Sequence, residues 1–341
     1  MMQKPNFKAR LENKVKQQIK GARVGFLLGA GSSYLAGDGY PLASELWGNI
    51  KKYVRVKERS DIDKKIKAGA TGLENALDLL DKGGAQETRH RHCVTDAIAR
   101  HFSGLRPPLE VHGRMAVSLS NRNERAVPIF SLNYDPLIER ACESYLVRFV
   151  DGFVGIEHAY FESATFQQHI VTTVRGPRGP VNRPVKGLIR LYKLHDSLGW
   201  YECPRNGIRR CIFDAEIPVD AKRLMVPPQH RKAVDTTAQP YASVWSEFRE
   251  MLAQGPRLIN RLVSIGYGML DEHVNSVIEN GLSRTNFTLL ILTRELTDEA
   301  FARWGSKRNV IIVTEKCCSL YGQKGLGHPD FWSFEKLSGE V

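Results

Sequence analysis

Residues 24–41 constrain the fold more than any other stretch of this chain. They read Val-Gly-Phe-Leu-Leu-Gly-Ala-Gly-Ser-Ser-Tyr-Leu-Ala-Gly-Asp-Gly-Tyr-Pro. Residues 24–28 have the length and apolar character of a buried strand, and they run directly into the turn Gly29-Ala30-Gly31-Ser32-Ser33. Glycine accepts positive φ and lets a backbone approach another group closely. A strand that ends in such a turn and continues into a helix offers amides that can cradle a pyrophosphate, so this turn is the expected docking point for a nucleotide.

The rest of the chain supports a parallel sheet. From residue 243 onward helical and strand patterns alternate: helix 243–253, strand 261–265, helix 271–280 ended by Gly281, strand 287–292, helix 297–304 and strand 309–313. Such alternation argues for a sheet with helices on both faces. Further strands are expected at 126–132 and 188–194, and a leading helix at 6–20. Pro41 suits the first position of a helix over 42–53. Asp135 and Pro136 read as the N-cap and first residue of a helix that runs to about 146. Between 60 and 120 the apolar spacing is helical, with Leu73, Ala76, Leu77 and Leu80 on one face. The expected fold class is therefore α/β, a Rossmann-like doubly wound parallel sheet with a helical insertion or cap. The expected organisation is an N-terminal helical extension (1–21), a nucleotide-binding domain (22–315) and a C-terminal tail (316–341). The domain carries the helical insertion at about 60–120 and loop insertions at about 148–186 and 201–240.

Composition narrows the partners. The chain has 341 residues and a formal net charge of +12, which favours an anionic partner without choosing among them. No run of about 18 apolar residues predicts a membrane helix. The basic, polar N-terminus lacks the apolar core of a secretory signal, so a cytoplasmic location is expected. The six cysteines, Cys93, Cys142, Cys203, Cys211, Cys317 and Cys318, form no C-x-x-C pair and read as free thiols of a reducing compartment, although Cys203 and Cys211 are spaced to meet across a hairpin. His90, His92 and Cys93 have a metal-like look but no second ligand pair at a useful spacing, and no metal is expected. Residues 163–195 contain Arg175, Arg178, Arg183, Lys186, Arg190 and Lys193 and no acid. That stretch reads either as a solvated loop or as an arm that contacts phosphates, so direct contact with nucleic acid stays open.

In doubly wound sheets ligands bind beyond the carboxyl ends of the strands. Four polar clusters fall at such ends: residues 29–33, 131–135, 195–197 and 266–268. The third glycine of a dehydrogenase fingerprint is missing, with Tyr34 in its place, and the nearest acid for a ribose, Glu58, lies in a charged, poorly defined stretch; an ordinary dehydrogenase is disfavoured. The amide of Asn133 can hold a ribose hydroxyl or a water, or serve its own turn. His195 has the chemistry of a base near neutral pH. Asp271 reads as a helix cap.

Taken in order, the clusters resemble the sirtuin-like NAD-consuming family, in particular its bacterial branch associated with anti-phage defence. The residues that carry the resemblance are Gly29-Ala30-Gly31-Ser32-Ser33 with Gly39 and Pro41, then Asn133-Tyr134-Asp135, then Leu194-His195, then Gly266-Tyr267-Gly268-Met269-Leu270-Asp271, and it covers about residues 22–315. The resemblance implies that Gly29, Ala30, Gly31 and Ser33 contact the dinucleotide phosphates. It implies that Asn133 holds the nicotinamide ribose or the attacking water, and that His195 is the general base or activates the ribose. It further implies that Gly266, Tyr267 and Gly268 line the adenosine end, and that Asp135 supports the ribose pocket or caps its helix. Asp196 stands where the family has glycine. Pro41 is followed by Leu42-Ala43-Ser44 rather than Asp-Phe-Arg, and the four-cysteine zinc module of the deacylating members is missing.

The missing Asp-Phe-Arg stretch and the missing zinc module point to simple NAD+ hydrolysis, giving nicotinamide and ADP-ribose without a metal. A cyclic product, NAD-dependent protein deacylation and a non-catalytic module for NAD, ADP-ribose or nucleic acid are the alternatives. A freely active NAD+ hydrolase would be toxic to its own cell, so a control step such as homo-oligomer formation is expected; the resemblance further implies antiviral abortive infection and a separate partner such as a HerA-type ATPase or another phage-sensing protein.

Overall fold

The computed structural model describes residues 6–81, 89–195, 197–213, 215–225 and 238–341. Asp196 lies outside them. The central sheet has six principal parallel strands: β1 Val24–Leu28, β2 Ala126–Ser131, β3 Leu188–Lys193, β4 Arg261–Ile265, β5 Thr288–Leu292 and β6 Val310–Val313. Across the sheet they stand in the order β6-β5-β4-β1-β2-β3. This is the doubly wound Rossmann order, in which the chain reverses its direction of travel between β1 and β4.

Most strand residues are apolar on both faces, as a sheet covered on both sides requires; β3 departs from this with Arg190 and Lys193 buried among its six residues. Successive residues feed opposite cores. Phe26, Leu28, Ile129, Leu191, Leu290 and Ile311 pack on one side. Leu27, Phe130, Tyr192, Leu289, Ile291 and Ile312 pack on the other. Each such side chain contributes about 1.5–3 kcal/mol on burial. The helix Tyr241–Ala253 covers the second core with Val244, Trp245, Phe248, Met251 and Leu252, and Phe248 sits 4.6 Å from the Phe130 ring.

The region expected to be helical contains the helices Val56–Lys67, Leu73–Leu80, Arg89–Ser103 and Glu110–Ser120, with Leu73, Ala76 and Leu77 buried. Helices Phe7–Ile19 and Ala43–Ile50 also stand where the pattern placed them. Other boundaries differ. Pro136 occupies the N-cap and the helix is Leu137–Ser144, while Asp135 accepts the Leu137 N–H at 3.1 Å through Oδ1 from one residue further back. Helix Glu272–Leu282 continues through Gly281.

Three regions are more ordered than their Pro and Gly content suggests. Phe149–Val150 adds an edge strand beside β3. Residues 153–223 supply a five-stranded antiparallel sheet and, separately, the hairpin of Val171–Gly176 with Gly179–Pro184. Residues 316–341, expected as a tail, extend the main sheet through antiparallel strands Cys317–Leu320 and Gln323–Leu326. Phe149–Val150 pairs with a strand distant in sequence, whereas the hairpins Val171–Gly176 with Gly179–Pro184 and Cys317–Leu320 with Gln323–Leu326 are local and are hidden by Gly, Pro and polar residues that carry weak strand signals. Among the described residues no helix is long and apolar enough to cross a membrane.

Candidate active site

The turn after β1 and the turn after β4 are nested against each other. The Gly31 N–H donates to Gly266 O and the Gly29 N–H to Ile265 O, both at 2.9 Å. A Cβ on Gly29 would lie 2.6 Å from Tyr267 Cα, one on Gly31 2.9 Å from Gly266 Cα, and one on Gly266 2.3 Å from Ser32 N. Gly266 also needs φ +66°. These glycines thus serve the close approach of two loops at the point where the strand order reverses, which is where a doubly wound sheet opens a crevice.

A cavity of about 450 Å³ occupies that crevice. Gly29, Ala30, Ser33, Asn133, Asp135, His195, Gly266, Tyr267 and Gly268 line it. They hang from the carboxyl ends of β3, β2, β1 and β4, four neighbouring strands, so the sheet brings together loops that are up to 240 residues apart. Gly31 is not on the wall. Its amide and that of Ser32, which donates to Gly29 O at 2.9 Å, are engaged inside the protein, leaving the phosphate assignment to Ala30, Ser33 and their neighbours.

Asn133 is the hub of this arrangement. Its Nδ2 donates to Gly29 O at 3.0 Å, Ser32 Oγ at 3.2 Å and Ser33 Oγ at 2.9 Å. A carbonyl only accepts, so the contact with Gly29 O fixes which way the amide points and presents Oδ1 as its acceptor. Ser33 also hydrogen-bonds Asp135. Asp135 is 5% exposed, and burial pushes its pKa up against the opposing pull of Lys193, whose Nζ donates to Asp135 O and lies 3.3 Å from Glu139.

His195 is also buried, with Nε2 3.2 Å from Asp271 Oδ2. The Asp271 Oδ1 atom caps helix Glu272–Leu282 by accepting from His273 and Val274 amides. Trp245 Nε1 donates to Leu194 O at 3.0 Å, which holds the chain immediately before the histidine. Tyr267 OH accepts the Asp271 N–H at 2.9 Å, tying the β4 turn to the same helix start. Burial and the neighbouring Asp271 push the Tyr267 pKa up, so the phenol stays neutral.

Several wall residues escape a reading of motifs. Tyr40, Leu46, Glu74, Phe102 and Glu272 line the cavity, and the Tyr40 and Phe102 rings stack at 4.6 Å. Glu74 and Phe102 belong to the helical insertion, which therefore walls the site. Only the position of Tyr40 beside Pro41 signals any of them in the sequence. With Asp135 and Asp271, the wall carries four carboxyl groups and, among the described lining residues, no lysine or arginine.

The other candidates lie elsewhere. Glu58 is buried in an ion pair with Arg89 inside the insertion. His90 Nε2 meets Asp61 at 3.2 Å and Cys93 is buried. Among the described residues no group of three His, Cys, Asp or Glu side chains is placed to hold a metal.

No family model matches the chain, and no curated protein matches it. Solved structures overlap most of its length at low identity. One, described as the structural basis of sirtuin substrate affinity, has a TM-score of 0.42 and 12% identity over 92% of this chain and 93% of that chain. A Sir2 mutant with a p53 peptide and NAD has a TM-score of 0.42 and 10% identity over 96% and 95%. A Sir2 homologue–NAD complex has a TM-score of 0.41 and 12% identity over 83% of each chain. Superpositions this loose leave the fold assignment to the strand order itself.

Proposed function

We propose that this cavity binds NAD+ and hydrolyses the bond between nicotinamide and ribose. The observation that carries the reading is the convergence of Asn133, His195 and the Gly29–Ser33 turn on one cavity at the reversal point of the sheet. The volume lies in the range of ligand sites. The order of the motifs resembles the sirtuin-like family, which agrees with the same substrate.

In this reaction the C1′–N1 bond breaks, its electron pair goes to the cationic nicotinamide ring, and positive charge develops on the ribose. Carboxylates along the wall favour that charge in a site partly closed to water. Asn133 Oδ1 accepts a hydrogen from the attacking water and aims its lone pair at C1′. His195 takes the proton released as the new C–O bond forms, and the Asp271 carboxylate stabilises the imidazolium. The products are nicotinamide, ADP-ribose and one proton. Asp135 either orders the ribose pocket through Ser33 or serves only the start of its helix.

Uncontrolled hydrolysis would exhaust the NAD+ of the host cell. In this reading the helical insertion, through Glu74 and Phe102, governs access to the cavity. Anti-phage defence, homo-oligomer formation and a HerA-type ATPase partner are the setting that the resemblance suggests.

The test is nicotinamide release from NAD+ by the purified protein, together with cellular NAD+ levels on expression. Hydrolysis proceeds without peptide, whereas a deacylase requires an acyl-lysine peptide and a binding module releases nothing. Retention of full NAD+ loss in both Asn133→Ala and His195→Ala would reject the proposal.

A further inference from the structure

The hairpin of Val171–Gly176 and Gly179–Pro184 has no role in the cavity. Among the described residues it pairs with no other strand, and most residues along both strands are exposed. An isolated two-stranded ribbon is marginal in water, so a ribbon held out in this way suits a partner better than a core. Its root is firm. Val185 N donates to Ile170 O at 2.9 Å and Gly187 N to Glu124 O at 2.9 Å, immediately before β3 begins. The arm therefore leaves from the amino end of the sheet, whereas the cavity lies at the carboxyl ends.

Its charge is of one sign, although Val171 and Val181 are exposed beside the arginines. Arg175, Arg178 and Arg183 are exposed, on one face, the tip and the other face respectively, as the register Thr172–Arg183 and Arg175–Pro180 requires. Lys186, Arg125 and Arg148 are exposed around the root. Among the described residues none of the five arginines has a carboxylate partner, and the nearby Glu124 is engaged by Arg122 and the Arg23 amide. The ribbon also presents Thr172, Thr173 and Asn182, with Thr173 and Asn182 hydrogen-bonded at 2.8 Å.

We propose that this ribbon is an arm for double-stranded DNA, entering the major groove and placing its arginines against the flanking phosphates. A two-stranded β-ribbon fits that groove, which is about 12 Å wide. Charge complementarity selects a polyanion. Single-stranded binding relies on aromatic stacking, and residues 167–191 contain no Phe, Tyr or Trp. The narrow major groove of double-stranded RNA excludes such a ribbon. The proposal is independent of the chemistry in the cavity.

Fluorescence anisotropy of the full chain with a labelled duplex of about 30 base pairs, from 50 to 300 mM NaCl, tests it. Binding at low salt is expected to weaken steeply as salt rises. Replacing Arg175, Arg178 and Arg183 together by Ala should lower affinity at least tenfold and reduce the slope of log K against log salt by about 2.7, near 0.9 per lost phosphate contact. The tip variant Arg178→Ala, expected to reduce the slope by about 0.9, provides the same reading if the triple variant misfolds. Absence of duplex binding at 50 mM NaCl overturns the proposal. So does an unchanged affinity and slope in the folded variants, or tighter binding to poly-glutamate or anionic vesicles than to duplex.

Discussion

His195 and Asp271 meet at 3.2 Å, Nε2 to Oδ2, although they belong to different strand–helix units. The same carboxylate uses its other oxygen to cap a helix. The pair thus couples the orientation of the imidazole to the start of that helix. Asp271→Asn keeps an oxygen for the cap but removes the charge that faces His195. Nicotinamide release is expected to fall by at least about tenfold, while the loss of thermal stability stays within about 1 kcal/mol. A variant as active as the parent would show that the carboxylate serves only the helix.

Asn133 ties the β2 end to the glycine turn through three contacts of one nitrogen. Asn133→Ala should cost about 1–2 kcal/mol in urea unfolding, because Gly29 O and two hydroxyls lose a donor. Activity should fall far more, by about 100-fold or greater. Proportionate small losses in both would assign the residue to packing alone.

Gly266 holds φ +66° with Ser32 N in the space a Cβ would take. Gly266→Ala is expected to destabilise the fold by about 2–4 kcal/mol and to abolish NAD+ binding, since the two turns must separate. Calorimetric melting together with ligand titration checks both effects.

His112 is 1% exposed, and burial pushes its pKa down to about 3. The fold holds the neutral imidazole while the unfolded chain binds a proton near pH 6.5. The stability associated with this group is complete above pH 6.5 and is lost as pH falls towards 3, by about 1.4 kcal/mol per pH unit. His112→Gln should flatten denaturant-derived stability over that interval. An unchanged slope would mean that other groups dominate acid unfolding.

The parts legible in the sequence are those set by local chemistry. Apolar runs gave β1 and β2 nearly to the residue, because strands buried on both faces admit few polar side chains; β3 was placed as closely although it carries the buried charges Arg190 and Lys193. Thr297 and Asp271 accept helix-start amides as cap residues do. The antiparallel sheet, the hairpin and the last two strands of the main sheet were not legible, since their Gly, Pro and polar residues carry weak strand signals even where the pairing partner is only a turn away.

The chain's own sequence determined which turns carry glycine, which strand ends carry Asn133 and His195, and that helices and strands alternate. Tertiary structure alone decided that β3, β2, β1 and β4 stand side by side, that Gly31 meets Gly266 instead of lining the cavity, and that Asp271 reaches His195. The reason is physical: periodicity and capping act over a few residues, whereas the neighbours of a strand are chosen by the packing of the whole sheet.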